Sequence, residues 1–183
     1  MQETVSEAEL GWLAGLLDGE GSIAYSVRKK HLGYLGMDLS VCWYNTDGGI
    51  IRKAVAILNK IGVEPYLTEA SRDVEKRNGT TWLQAHKTYL TVRLHKQSAM
   101  RIVLEALHPH LAGEKRHRAY LVLRLLNKKK NGSHDRRHSN YDTEDWYLLG
   151  ELYKTSERKR PVPQELLDRI PRDYTPDVPA IRA

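Results

Sequence analysis

The segment from Ser6 to Gly21 constrains the fold of this chain more than any other part of its sequence. Ser6 and Glu9 have the spacing of a capping box, which predicts a helix that begins near Glu7. The buried face of this helix is predicted to consist of leucines at helical spacing, namely Leu10, Leu13, Leu16 and Leu17. Glycine then marks the end of the helix, so a different element must begin close to Gly21.

One side of this first helix carries very little side-chain bulk. Gly11, Ala14 and Gly15 lie on that side, and residues this small allow a second helix to approach unusually closely. The pattern therefore predicts an interface with another helix at these three positions.

Two acidic residues stand at the end of the same helix. Asp18 and Glu20 flank Gly19, at a helix C-terminus where the macrodipole disfavours negative charge. Acids held in such a position indicate that a cation binds nearby.

Beyond Gly21 the apolar pattern changes from helical spacing to strict alternation. Apolar residues occupy every second position over residues 23–27 and again over residues 35–43, which predicts two half-buried strands joined by a turn. Residues 50–61 return to helical spacing, and Gly62 closes that helix. The first part of the chain is thus a helix-strand-strand-helix unit.

The next part of the chain repeats this division. Strands are predicted at about residues 63–69 and 84–94, and the charged segment 72–80 between them is predicted to be a long hairpin loop. Helices are predicted over residues 98–107 and 113–129, then a basic loop over residues 128–140, and one more helix that starts near Thr143. A Pro-rich, charged end follows from Pro161.

Composition limits the kinds of partner and compartment. The 183-residue chain carries a formal net charge of +6, so it is expected to bind polyanions with an affinity that falls as salt rises. Its single cysteine, Cys42, excludes an internal disulfide. The sequence shows neither a bilayer-spanning apolar run nor a signal segment, and an intracellular location, cytoplasmic or organellar, is expected rather than secretion or a membrane.

The run Leu13-Ala14-Gly15-Leu16-Leu17-Asp18-Gly19-Glu20-Gly21 resembles the signature of the LAGLIDADG homing endonucleases at nearly every position. Leu17 takes the usual Ile place, and Gly19-Glu20 stands where the name has Ala-Asp. The resemblance implies an α+β, αββαββα fold with an antiparallel, saddle-shaped sheet and, in this chain, additional C-terminal helices. It covers residues 6–130, which divides the chain into an endonuclease core over residues 1–130 and a C-terminal part over residues 131–183.

The resemblance also implies an active site. Glu20 matches the family acid that binds divalent metal, and the Gly19 carbonyl is a candidate second ligand, whereas Asp18 is expected to cap or orient the turn. Lys115 matches the family's active-site lysine, with a solvated helix start as its alternative. Asn45 or Asp47 corresponds to the residue that orders water around the metal. Arg52 is a candidate phosphate contact or an exposed residue of its helix.

The polar face of the sheet is expected to lie along a DNA groove, although for most of its residues a solvated strand face is the alternative. Arg28 and Arg93 are singled out because arginine makes bidentate contacts with guanine. The DNA-contacting residues predicted on this face are Ser26, Arg28, Lys30, Asp38, Ser40, Tyr44, Tyr66, Thr68, Arg72, Tyr89, Thr91 and Arg93.

The function implied is that of a site-specific, Mg²⁺-dependent endonuclease on double-stranded DNA. Mn²⁺ is expected to substitute for Mg²⁺, and Ca²⁺ to bind without supporting cleavage. Because the chain has one motif, it is expected to act as a homodimer on a long, pseudo-palindromic target and to leave short 3′ overhangs. An intron-encoded, free-standing form is expected. The alternatives are an RNA maturase that binds its intron and a DNA-binding regulator without catalysis.

Overall fold

A computed structural model of the protein describes residues 4–29, 35–71, 88–128, 141–155 and 161–175. The predicted loop at 72–80, residues 129–140 of the predicted basic loop, and the residues Lys30 and Arg72 lie outside these ranges, whereas Lys128 ends α4. The main elements, in chain order, are α1 (Glu7–Glu20), β1 (Gly21–Lys29), β2 (Leu35–Asn45), α2 (Gly48–Lys60), β3 (Tyr66–Ser71), β4 (Thr88–Leu94), α3 (Gln97–Leu107), α4 (Gly113–Lys128), α5 (Thr143–Lys154) and α6 (Gln164–Leu167).

The predicted αββαββα order is confirmed. The four strands form one antiparallel sheet in the order β1-β2-β4-β3. Their alternation is also as predicted, because Ile23, Val41, Trp43, Val92 and Leu94 are buried on the face that packs against the helices. The opposite face stays uncovered by the described helices and carries polar side chains.

Helix α1 forms the centre of the protein core. The predicted capping box is present, with the Ser6 side chain accepting from the Glu9 N–H and the Glu9 carboxylate accepting from the Ser6 N–H. The indole N–H of Trp43 donates to the Leu13 carbonyl at 3.3 Å, which ties the helix to strand β2. The N-terminus of α1 is thereby capped, and its middle is held against the sheet.

Strand β1 begins at Gly21 without an intervening loop, and the close approach of Leu17 explains the glycine. A Cβ atom at Gly21 would lie 2.5 Å from Leu17 Cδ1 and 2.8 Å from Leu17 Cα, which is too close for any side chain. The backbone of Gly21 is extended rather than left-handed. Position 21 therefore has no room for a side chain, and glycine lets the chain pass from α1 to β1 without a loop.

Strand β3 begins later than predicted, at Tyr66 rather than near Val63. Gly62 has a φ of 88°, and the N–H groups of Gly62 and Val63 donate to the carbonyls of Asn59 and Leu58, both at 3.0 Å. These two bonds form a Schellman motif that ends α2. Val63 therefore belongs to the helix cap, and Pro65 precedes the first strand residue.

The C-terminal helices pack on the rest of the protein. Leu148, Leu149 and Leu152 of α5 are fully buried in the same hydrophobic cluster as α1 and the sheet. Leu166 of α6, a short helix that the sequence did not predict, lies against Gly150 of α5. No helix in the described ranges is long and apolar enough to span a membrane.

Candidate active site

Glu20 is the last residue of α1, and its side chain is exposed. The residue that follows it, Gly21, pairs with Trp43 in the register of β1 and β2. The carboxylate therefore stands at the junction between the central helix and the end of the sheet, which is the position predicted for the metal ligand.

Lys115 approaches the same helix end from α4. Its ammonium nitrogen donates to the Leu17 carbonyl at 2.6 Å and to the Asp18 carbonyl at 2.5 Å. The last carbonyls of a helix lack partners within the helix, and a cation there also complements the helix dipole. The residue predicted as the active-site lysine therefore lies beside the acidic motif, bound to the backbone of α1.

The side chain of Asp18, in α1, contacts the backbone just before α4. Its Oδ2 accepts from the backbone N–H of Ala112 at 3.0 Å, directly before Gly113, which begins α4 with a φ of 50°. Its other oxygen, Oδ1, is buried and has no hydrogen-bond partner within the described residues. The contact with Ala112 fits the expected orienting role and leaves Glu20 as the exposed acid of the pair.

Asn45 and Asp47 make local hydrogen bonds at the start of α2. Asn45 Oδ1 accepts from the Asp47 N–H at 2.8 Å, and Asp47 Oδ1 accepts from the Gly49 N–H at 2.7 Å as the N-cap. Arg52 is exposed, and its guanidinium lies over Gly48, where a Cβ atom would be 3.1 Å from Nη1. The three predicted residues thus lie between the end of β2 and the second turn of α2, and this end of β2 is the one where Trp43 pairs with Gly21.

Cys42 lies on the polar face of the sheet, near enough to Lys115 for that charge to act on its thiol, and the sequence alone did not indicate this. Burial raises the pKa of its thiol, and the positive charges of Arg93 and Lys115 act in the opposite direction. In the strand register Cys42 pairs with Ser22 on one side and Arg93 on the other. Alternation along β2 had already placed Cys42 on the polar face, and this was the signal available.

The predicted DNA face is largely assembled by the strand register. Ser26 pairs with Asp38, Tyr66 pairs with Arg93, and Thr68 pairs with Thr91. Tyr44 and Tyr66 are exposed, with 41% and 64% of their surfaces accessible. Arg28 lies in β1, but its side chain is outside the described part of the protein, as are Lys30 and Arg72.

One predicted DNA contact is wrong. Thr91 is only 6% exposed, because it lies on an inner strand between Thr68 of β3 and Tyr44 of β2. Its neighbours cover its short side chain. Strand alternation predicts which face of the sheet a residue is on, but it does not predict how far neighbouring side chains bury that residue.

The predicted helix interface needs one correction. Cβ atoms built at Gly11 and Gly15 would meet nothing within 4 Å among the described residues, so this side of α1 is open. Ala14 instead has no exposed surface and belongs to the protein's own core, because it points between the leucines that face the sheet. Gly19, which the prediction omitted, is open in the same way and lies one turn after Gly15.

The donor groups near Glu20 fit a hydrated Mg²⁺ ion. The described ranges contain no cluster of three or more His, Cys, Asp or Glu residues, and the ligands predicted from the sequence are the Glu20 carboxylate, which is exposed, and the Gly19 carbonyl. Mg²⁺ prefers hard oxygen ligands and keeps several waters, and it is commonly held by one or two carboxylates together with phosphate oxygens. Such a sparse set of oxygen donors suits an ion that is completed by substrate.

Comparison with known proteins identifies the family. A model described as LAGLIDADG-like domain matches residues 7–105, which is more than half of the chain and extends from α1 into α3. The protein belongs to the LAGLIDADG family. No curated protein sequence matches the chain.

Solved structures of homing endonucleases have the same fold. Homing endonuclease I-CvuI, bound to its target in the presence of Ca, shares 20% identity over 88% of this chain and 92% of its own, with a TM-score of 0.52. The group I intron-encoded homing endonuclease I-CeuI, complexed with DNA, shares 16% sequence identity with this chain. The match covers 87% of this chain and 70% of I-CeuI, with a TM-score of 0.53. The LAGLIDADG homing endonuclease I-GzeII, in complex with its DNA target, shares 12% sequence identity with this chain. The match covers 95% of this chain and 53% of I-GzeII, with a TM-score of 0.56. These matches establish the fold.

Proposed function

We propose that the protein is a site-specific DNA endonuclease that uses Mg²⁺ and acts as a homodimer. The observation that carries this proposal is the exposed Glu20 carboxylate at the end of α1, with the Lys115 ammonium bound to carbonyls of the same helix end. A nuclease needs both an oxygen ligand for a cation and a positive charge near the phosphate.

The open side of α1 supports a dimer. Gly11, Gly15 and Gly19 leave space along this helix, so the α1 helices of two copies can pack closely. Two Glu20 carboxylates would then lie near one another, an arrangement that a cation stabilises and that repulsion otherwise disfavours. The chain spans most of I-CvuI but 53% of the longer I-GzeII, which is consistent with one chain supplying half of a site.

The roles of the residues follow from their positions. Glu20 and the Gly19 carbonyl would hold the divalent cation, which when bound activates water and neutralises charge on the phosphate. Lys115 would supply a fixed positive charge beside the scissile phosphate. Asn45 or Asp47 would hold water at the end of β2, and Arg52 would contact phosphate. The sheet face, with Tyr44, Tyr66 and Arg93 exposed, would lie against the DNA.

The finer features of the proposal concern the target and the setting. A two-fold dimer would recognise a pseudo-palindromic sequence and cut both strands with a short 3′ overhang. The known relatives I-CeuI and I-Vdi141I are described as intron-encoded, and we extend this origin to the present chain. Because the proposed substrate is DNA, we also propose that the protein acts inside the cell. Residues 1–130 would form the endonuclease core, and residues 131–183 would extend it.

The test is cleavage of a library of random DNA duplexes, followed by sequencing of the cut ends, in Mg²⁺ and separately in Ca²⁺. We expect staggered ends at one pseudo-palindromic site in Mg²⁺ and binding without cleavage in Ca²⁺. The variant Glu20→Gln should lower cleavage by more than about a hundredfold while it keeps dimerisation and most DNA affinity.

Glu105→Gln is the matched control, because Glu105 is an exposed carboxylate on α3; it should cleave like the wild type. DNA binding by the wild-type dimer with no cut ends in Mg²⁺ would overturn the nuclease proposal and favour a regulator. Preferential binding of intron RNA under the same conditions would favour a maturase.

A further inference from the structure

Helix α5 lies outside the matched region 7–105, yet it contacts a strand that carries part of the predicted DNA face. Strand β1 is at one edge of the sheet, and an edge strand has a row of backbone groups without a neighbouring strand. The Val27 N–H on that edge donates to the Tyr153 hydroxyl oxygen at 3.2 Å. Tyr153 thus holds an edge-strand donor that would otherwise depend on water.

The same tyrosine makes a second contact with β1. Its ring meets the ring of Tyr25 in an edge-to-face arrangement, with centroids 5.2 Å apart and an interplanar angle of 71°. Tyr153 itself is 8% exposed, so its position is fixed by packing. Two residues of β1, Tyr25 and Val27, are therefore held by one buried side chain.

Helix α5 and its C-cap residue Thr155 also bind to α4. Arg118, which is 7% exposed, donates through Nε to Thr155 Oγ1 at 3.0 Å and also donates to the Thr155 carbonyl. Arg124 forms an ion pair with Glu144 at 2.5 Å. Arg118 follows Lys115 by one turn of α4, so α5 joins the helix that carries the active-site lysine to the edge strand of the sheet.

We infer that Tyr153 is a positioning residue that sets where β1 lies against DNA and thereby contributes to sequence discrimination. Ser26 lies between the two contacts of Tyr153, on the polar face and opposite Asp38. Hydrogen bonds to bases depend steeply on distance and angle, so a strand that shifts on its free edge discriminates poorly. This inference rests on the proposed DNA-binding function and assigns α5 a role in it.

The variant Tyr153→Phe tests the hydroxyl while it keeps the ring contact with Tyr25. Tyr147→Phe is the matched control on the same helix, because the Tyr147 ring packs against Tyr174 at 5.7 Å. In amide exchange measured by NMR on the full chain, Tyr153→Phe should speed exchange at Val27 by about three- to tenfold, the effect of losing one hydrogen bond. Tyr147→Phe should leave exchange at Val27 unchanged.

The functional readout is the preference for the target over variants of it in which one base pair at a time has been substituted. Ser26→Ala identifies the base pairs read by β1, because it removes one polar group from that strand. Tyr153→Phe should reduce discrimination at those same base pairs by about three- to tenfold. Its rate constant for cleavage of saturating DNA should stay within about twofold of wild type, since the Glu20 and Lys115 contacts are not altered.

The outcomes separate the inference from the proposed function. A wild-type protein with no preferred DNA site would overturn the proposed function and the inference with it. A wild-type preference that Tyr153→Phe leaves unchanged would overturn the inference alone, as would an equal loss at every base pair, which indicates general destabilisation. Tyr153→Leu, which also removes the ring contact, should enlarge the loss at the β1 base pairs.

Discussion

The ammonium nitrogen of Lys115 lies 2.6 Å from the carbonyl oxygen of Leu17, a residue 98 positions away in the sequence. Asp18 makes the reverse contact with the backbone N–H of Ala112. Together these bonds join the last turn of α1 to the first turn of α4, and Glu20 is the next exposed acid beyond them. The position of the candidate metal ligand is therefore coupled to that of the lysine.

Replacement of Lys115 by methionine should lower both stability and the proposed cleavage. The change keeps most of the side-chain stem but removes two hydrogen bonds from a charged donor, and bonds of this kind contribute about 1.5–3 kcal/mol. We expect the free energy of unfolding in urea to fall by about 2 kcal/mol. The matched control is Arg116→Met, an exposed neighbour in α4, which should change stability by less than about 0.5 kcal/mol. Equal stability of the two variants would contradict the assigned contacts.

Two replacements of Asp18 should differ in their effect on stability. Asp18→Ala removes the acceptor for the Ala112 N–H and should cost about 1–2 kcal/mol. Asp18→Asn keeps an acceptor and removes a negative charge from a helix C-terminus, where the dipole disfavours it. We expect the asparagine variant to unfold at the same urea concentration as wild type or a higher one. A loss of stability in Asp18→Asn equal to that in Asp18→Ala would show that the charge itself is needed.

Local patterns predicted most of the fold, because each element carries its own signal. The capping box of Ser6, the alternation of β1 and β2, and the closing Gly62 depend on residues that are near one another in sequence. The contact between Lys115 and Leu17 has no such local signal, since it depends on how α4 packs on α1. Family resemblance selected Lys115 as the candidate active-site lysine, but it did not predict this contact with the backbone of α1.

The errors in the prediction have the same origin. Ala14 shares the small size of Gly11 and Gly15, but its direction from the helix places it in the core. Thr91 has the correct strand face, yet the neighbouring strands cover it. The hydrogen bond from Val27 to Tyr153 joins residues 126 positions apart, so no spacing rule could identify it.

Replacement of Gly15 by leucine should prevent the proposed dimer without unfolding the chain. The site is exposed, and a Cβ atom there meets nothing within 4 Å among the described residues, so the leucine clashes only with a second helix. Removal of a helical glycine should also favour the monomer fold by about 0.5–1 kcal/mol. By sedimentation equilibrium, the dimer dissociation constant should rise by more than about tenfold, the effect of about 1.4 kcal/mol.

Ala56→Leu is the control for this experiment, because Ala56 is a small, exposed residue on α2 rather than on α1. It should leave the dissociation constant unchanged. A Gly15→Leu protein that dimerises like the wild type would place the interface elsewhere.

The ion pair of Glu9 with Lys60 should give the protein a stability that declines at low pH. The hydrogen bond from Lys60 at 2.8 Å, together with the bond from the Ser6 N–H, lowers the pKa of Glu9 from 4.5 to about 2. A carboxyl whose pKa is lower in the folded state stabilises the protein above its unfolded value, and the contribution is lost as pH falls toward the folded value. We therefore expect the Glu9 contribution to be complete above about pH 5 and mostly lost near pH 2, where the folded-state carboxyl is itself half protonated.

A double-mutant cycle with Glu9→Gln and Lys60→Met isolates this contribution. Urea unfolding at pH values from 2 to 7 should show a coupling free energy that is favourable at pH 7, decreases below pH 4.5 and is small near pH 2. Glutamine can still accept from the Ser6 N–H, so the helix cap is kept and the cycle reports on the charge. A coupling that stays constant across this pH range would mean that Lys60 binds Glu9 as a neutral hydrogen-bond partner, and the pKa of Glu9 would then need another cause.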